Sequence, residues 1–133
     1  MALDIDQLEP SVLEFLTERH LATLTTLRAD GSPHVVAVGF SYDPQARTAR
    51  VITWAASQKA INAGRMQKAG QRAVVCQVDG GRWLALEGPV RLITDADSVK
   101  PGVEGYAARY QEPKVRDDRA VIEIDVDRIL GRG

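Results

Sequence analysis

Two hydrophobic periods alternate along the chain. Val12, Leu13, Phe15 and Leu16 recur at helical spacing, and Pro10 fits a first helical turn, where its missing N–H costs nothing. This pattern predicts a helix that stops near His20. Residues 21–27 are rich in β-formers, and the turn signal Asp30-Gly31 separates them from a returning strand at 34–40. Asp43-Pro44 turns the chain again, and 50–54 is a third strand. Residues 57–69 read as a helix with Ser57 as N-cap, a packing face of Ala60, Ile61, Ala63 and Met66, and Gly70 as its stop. Two β segments follow, 73–78 and the long 83–93, with the turn Asp79-Gly80-Gly81 between them. Gly88-Pro89 predicts a bulge or bend inside the long segment, because proline cannot donate to a central ladder. A short helix is expected within 95–110, then a polar loop over 111–118. The segment 122–127 alternates strictly, so one face is buried and one is wet. The sum is about six antiparallel strands and a few short helices, a mainly β (α+β) chain whose short turns favour a barrel or a sandwich.

Size and charge narrow the classes. A length of 133 residues is one domain, 1–133, large enough to bury a core without disulfides. The net charge of −1 argues against general nucleic-acid binding, which needs a basic excess or face. Cys76 is the only cysteine, so no intrachain disulfide forms. The acidic start has no apolar core and does not read as a signal peptide, and no apolar run approaches a membrane span. A cytoplasmic location follows by default.

Candidate chemistry concentrates between Thr53 and Arg65, where a strand runs into a helix N-terminus. Such a terminus presents free N–H groups and a partial positive charge to a phosphate. Ser57 adds a hydroxyl, and Lys59, Arg65 and Lys68 add charge. The plainer alternative is a capped surface helix with solvated cations. His20 reads as a helix C-terminal cation, His34 as a strand-start residue able to touch a ligand, and Cys76 as buried and inert. Neither histidine has companions at metal-ligand spacing, so no metal site is expected. Trp54 and Trp83 flank element ends, where tryptophan serves either as filler or as the wall of a planar ligand pocket. No nucleophile elbow, phosphate loop or dinucleotide fingerprint is present, and nothing marks an acid–base pair. If the chain is an enzyme, a cofactor carries the reaction.

The hairpin Arg28-Ala29-Asp30-Gly31-Ser32-Pro33-His34-Val35, the strand entering Ser57-Gln58-Lys59-Ala60, and Gly81-Arg82-Trp83-Leu84-Ala85-Leu86-Glu87-Gly88 resemble the flavin/deazaflavin oxidoreductase superfamily. These are split β-barrels related to pyridoxamine phosphate oxidase, and the likeness is greatest to deazaflavin (coenzyme F-420)-dependent biliverdin reductases. The resemblance spans nearly the whole chain. It implies a six-stranded antiparallel split barrel that forms a homodimer with two cofactor sites between subunits. It implies that Thr53, Ser57, Lys59, Asn62 and Arg65 lie near the coenzyme's phosphate and acidic tail. Gln77, Val78 and Trp83 would come from the partner to border the ring. The implied reaction is hydride transfer from reduced coenzyme F-420 to a planar conjugated small-molecule acceptor, biliverdin first, without a catalytic side chain. The acceptor's propionates call for cations, and His34, Arg28 and Arg82, with Arg47 and Arg50, are the candidates. Alternatives are a quinone or other unsaturated acceptor, FMN in place of the deazaflavin, and a non-enzymatic module that sequesters the coenzyme or haem.

Overall fold

The computed structural model describes residues 2–133. Helix α1 (Pro10–Phe15) leads into β1 (Ala22–Leu27), β2 (Pro33–Val38), β3 (Ser41–Asp43) and β4 (Thr48–Trp54). Helix α2 (Gln58–Ala69) follows, then β5 (Arg72–Asp79), β6 (Arg82–Ile93), α3 (Lys100–Arg109), β7 (Arg119–Asp125) and β8 (Arg128–Arg132). All pairings are antiparallel, in the order β2-β1-β5-β6-β7-β4-β3, with β8 against β6.

The sheet coils around one core, the expected split barrel. Leu24, Val38, Phe40, Val51, Val75, Leu84, Leu86, Ile122 and Ile124 meet α1 and α2 in a single apolar cluster. The coil turns at β6. Its first part lies between β5 and β8, and from Val90 onward it pairs with β7. The switch falls at Gly88-Pro89, where the sequence predicts a bend. A β-carbon on Gly88 would lie 1.8 Å from the Asp125 carbonyl oxygen, so the crossing strands approach closer than any side chain allows.

The α2 helix forms as its sequence dictates. Ser57 Oγ accepts from Ala60 N, and Gly70 ends the helix in the left-handed region, φ 67°. Ala60, Ala63 and Met66 face inward, whereas Ile61, expected on the packing face, is exposed; Leu92 N donates to Gln67 Oε1, so α2 plugs the barrel beside β1 and β6.

Four expectations need correction. Strand β7 has no wet face over residues 120–124, because Glu123, which alternation would place in water, is buried against Arg50 and Arg91. The sheet has eight strands rather than six. The three-residue β3 and the C-terminal β8 are too short and too mixed in polarity to show a period. The first helix stops at Phe15, not near His20. Glu18 N and Thr17 Oγ1 both close on the Glu14 carbonyl, and Arg109 takes the Phe15 and Glu18 carbonyls from the side. His20 is thereby no helix cap: its Nε2 lies 3.0 Å from Glu18 Oε1, and its ring meets Phe15 edge-on. Among the described residues, no helix is long and apolar enough to cross a membrane.

Candidate functional site

A pocket of about 350 Å³ opens where the C-terminal ends of β2 and β4 meet the start of α2 and the segment after α3. Ala37, Val38, Gly39 and Ile52 make an apolar floor, and Trp54 and Tyr106 supply aromatic surface. Lys59, Lys114, Arg116 and Arg119 give it four cations against one carboxylate, Glu112.

Lys59 stands on the first turn of α2, half-buried, with Nζ 5.1 Å from the centre of the Trp54 ring. It makes no ion pair among the described residues. Burial pushes its pKa below the ordinary 10.5. A desolvated cation without a counter-ion costs free energy, and an anionic ligand would recover it. Beside it, Thr53 Oγ1 and Ser57 Oγ lie 2.7 Å apart, and both are almost fully buried. Ser57 Oγ already caps Ala60 N, so these hydroxyls shape the helix entry. The first-turn N–H groups of α2 lie outside the intrahelical ladder and face the same end as Lys59.

Other expected residues fall elsewhere. Asn62 is fully buried; its Nδ2 donates to Thr26 Oγ1, and its Oδ1 accepts from Gln58 Nε2 and Arg65 Nη2, so it ties α2 to β1 and is not a ligand group. Arg65 also donates to the Leu27 carbonyl, toward the β1–β2 hairpin. Gln77 is likewise internal: its amide donates to Phe15 O and accepts from Arg109. In β5, Ala73, Val75 and Gln77 point inward, whereas Val74, Cys76 and Val78 point out. Cys76 is therefore half-buried on the outer face, not in the core, and burial raises its pKa.

The arginine candidates are all engaged away from the pocket. Arg28 binds the Ser32 hydroxyl and Pro33 carbonyl at the hairpin tip. Arg47 pairs with Asp6, Arg50 with Glu123 and Asp43, and Arg82 with Glu18 and Asp79 while stacked on Phe15. His34 lies opposite Thr26 on the inner face of β2, with Nδ1 sheltered and lacking a partner. The cations that do line the pocket, Lys114, Arg116 and Arg119, sit in or just after the stretch read as a polar loop. Their crowding into six residues, interrupted only by Val115 and two aspartates, was the available signal.

Val78 and Trp83 sit on a different surface. They pair across β5 and β6 on the outer sheet face and are 62% and 37% exposed. Val35, Ala37, Thr23, Thr25, Val74, Cys76 and Ala85 share that face through the registers Ala37–Thr23–Cys76–Ala85 and Val35–Thr25–Val74. It is mostly apolar. The edge residue Ala37 also lines the pocket, so the two surfaces adjoin.

Fold and site together define a split-barrel protein with a cationic pocket beside an uncovered sheet face. The chain belongs to the pyridoxamine 5'-phosphate oxidase family, whose model matches residues 8–133. It is 53% identical over 125 residues, 94% of this chain and 88% of the relative, to an F420H(2)-dependent biliverdin reductase of Mycobacterium tuberculosis. Among solved structures, a conserved hypothetical protein of Mycobacterium tuberculosis aligns with TM-score 0.75 at 20% identity, over 95% of this chain and 84% of that one. A protein described as an F420 reductase aligns with TM-score 0.66 at 24% identity, over 88% and 94%. These two likenesses concern the fold.

Proposed function

We propose that this chain is an oxidoreductase that uses reduced coenzyme F-420 to reduce a planar conjugated acceptor, biliverdin in the first instance. The observation that carries the reading is Lys59: a half-buried cation with no carboxylate partner among the described residues, at a helix N-terminus, on the wall of a pocket with excess positive charge. That is the chemistry an anionic coenzyme needs. The identity of 53% with the mycobacterial biliverdin reductase supports the choice of coenzyme and acceptor. When bound, the coenzyme supplies the hydride. Lys59 and the first turn of α2 hold its phosphate, Trp54 offers a flat wall, and the small floor residues Ala37 and Gly39 leave room for a ring. The chain's part is to fix donor against acceptor and exclude water.

The reading includes a homodimer in which the outer sheet face covers its counterpart and Val78 and Trp83 reach the other subunit's pocket, in a cytoplasmic protein that binds neither nucleic acid nor membrane. A monomer leaves this apolar face in water, which soluble chains avoid over large areas. Sedimentation at micromolar concentration is expected to give twice the 14.5 kDa chain mass. Val78→Glu, a charge on the exposed apolar face beside Trp83, is expected to shift the population to monomer and abolish coenzyme binding with it. A wild-type monomer that binds coenzyme overturns the shared site.

The test of function is anaerobic turnover of biliverdin with reduced coenzyme F-420, compared with FMN, FAD and NADPH as donors. Turnover with the deazaflavin alone is the expected result. Binding of FMN only reassigns the cofactor, and coenzyme binding without turnover of biliverdin or quinones makes the chain a carrier. Lys59→Ala is expected to weaken coenzyme binding by about 1–3 kcal/mol, as for loss of a charge-assisted hydrogen bond. The pH dependence has a definite sign. Burial favours neutral Lys59, whereas the bound anion needs it charged. Affinity therefore falls as pH rises through the lysine's lowered pKa, below 10.5, and Lys59→Ala lacks that alkaline limb.

A further inference from the structure

We infer that Lys114 and Arg116, in the segment between α3 and β7, form a second anion subsite in the same pocket, one that takes carboxylate groups of the bound ligands. This rests on the reading of the pocket above and deepens it: α2 holds the phosphate, and the segment reads the carboxylates.

The four pocket cations have different duties. Arg119 is occupied, donating to the Thr53 carbonyl at 3.3 Å and the Lys114 carbonyl at 2.5 Å, so it straps the segment to the end of β4. A backbone bond from Ala55 N to the Asp118 carbonyl, 2.9 Å, fastens the same place. Arg119 is a positioning residue. Arg116 gives Nε and Nη2 to the two Asp118 oxygens, at 2.8 and 3.0 Å, which fixes the guanidinium plane and leaves Nη1 uncommitted. Lys114 is exposed, has no ion pair among the described residues and lines the pocket. Lys114 and Arg116 are exposed, but the segment that carries them is not a free tether. It is held at two points, and its cations are presented to one cavity.

Trp54 connects the two halves of the site. Lys59 Nζ lies 5.1 Å and Arg116 Cζ 5.2 Å from the centre of its ring, and the ring is 41% exposed. One indole thus carries a cation from each half of the wall. A ligand that brings an aromatic surface, a phosphate and carboxylates answers every feature of this wall. The carboxylates have two possible sources in the proposed reaction, the coenzyme's acidic tail and the acceptor's propionates, and the guanidinium and ammonium would bind either in the same way.

The experiment uses the full chain and the double variant Lys114→Gln/Arg116→Gln, with unchanged thermal unfolding as the check on folding. Dissociation constants are measured for coenzyme F-420 and for its riboside, which lacks phosphate and tail. KM is measured for biliverdin and for its dimethyl ester. If the tail is read here, the double variant binds the coenzyme about tenfold more weakly, the size of a lost charged contact, while riboside affinity is unchanged. If the propionates are read here, coenzyme affinity holds, KM for biliverdin rises about tenfold and KM for the ester does not move. Either result supports the subsite and names its source. Coenzyme affinity and both KM values within twofold of wild type, while Lys59→Ala still loses binding, overturn this inference and leave the function standing. Failure of the unaltered protein to bind the coenzyme overturns both.

Discussion

Arg109→Ala is expected to cost about 3–5 kcal/mol of folding stability, the range for stripping one partner from a buried charged network. Arg109 projects from α3 and is only 8% exposed. Its Nε donates to Glu18 O at 2.8 Å, Nη1 to Phe40 O at 2.9 Å, and Nη2 to Gln77 Oε1 at 2.6 Å. The same guanidinium stacks 4.7 Å from the Phe40 ring and 5.4 Å from Tyr110. One side chain thus joins the end of α1, the β2–β3 connection, β5 and α3. Without it, three carbonyls and the Gln77 amide lose a donor inside the barrel. Tyr110, which donates to the His20 carbonyl and accepts from Phe40 N, loses its stacking partner as well. Lysine cannot restore the fork of donors, so Arg109→Lys is expected to recover less than half of the loss. Urea denaturation measures both variants, and a loss below about 1 kcal/mol for alanine contradicts the account. Because α3 leads directly into the segment that lines the pocket, the alanine variant is also expected to bind coenzyme more weakly.

Gly88→Ala is expected to lose about 3 kcal/mol or more, at the upper end for overpacking, because the obstacle is backbone rather than a side chain that can rotate away. The added methyl would lie 1.8 Å from Asp125 O and 2.7 Å from the Asp125 carbonyl carbon. Relief requires β6 and the β7–β8 connection to separate where Asp127 N bonds Glu87 O, while Val126 N holds that connection to Arg47 O of the β3–β4 turn. Gly31→Ala is the control. Gly31 has φ 84° but nothing within 4 Å of the added carbon, so its cost is limited to left-handed strain of about 1 kcal/mol. Equal losses at the two positions would mean that crowding at the barrel corner is not what matters at Gly88. Calorimetric melting of the three proteins decides it.

Local signals in the chain determined a large part of this fold. The Asp30-Gly31 and Asp79-Gly80-Gly81 turns, the Ser57 cap and Gly70 stop and the bend at Gly88-Pro89 each act within a few residues, and each appears where it was read. Lys59 was legible for the same reason: a strand entering a capped helix defines an anion-facing end by itself. The short strands β3 and β8 were not legible, since three and five residues carry no period and are strands only because β4 and β6 offer open edges. Nor was the fate of the polar side chains. Gln77 and Asn62 resemble ligand groups in one dimension, yet the inward phase of β5 and the packing of α2 on β1 bury them beside donors and acceptors from distant segments. The pocket's cations show the same division. Arg28, Arg47, Arg50 and Arg82 are spent on partners that the fold brings to them, while Lys114, Arg116 and Arg119, unremarkable in a polar stretch, are carried to Lys59 by the docking of α3. Capping, turns and periodicity are short-range, so the sequence alone determines them. Which charge remains unpaired depends on every segment that packs around it, and only the tertiary structure decides that.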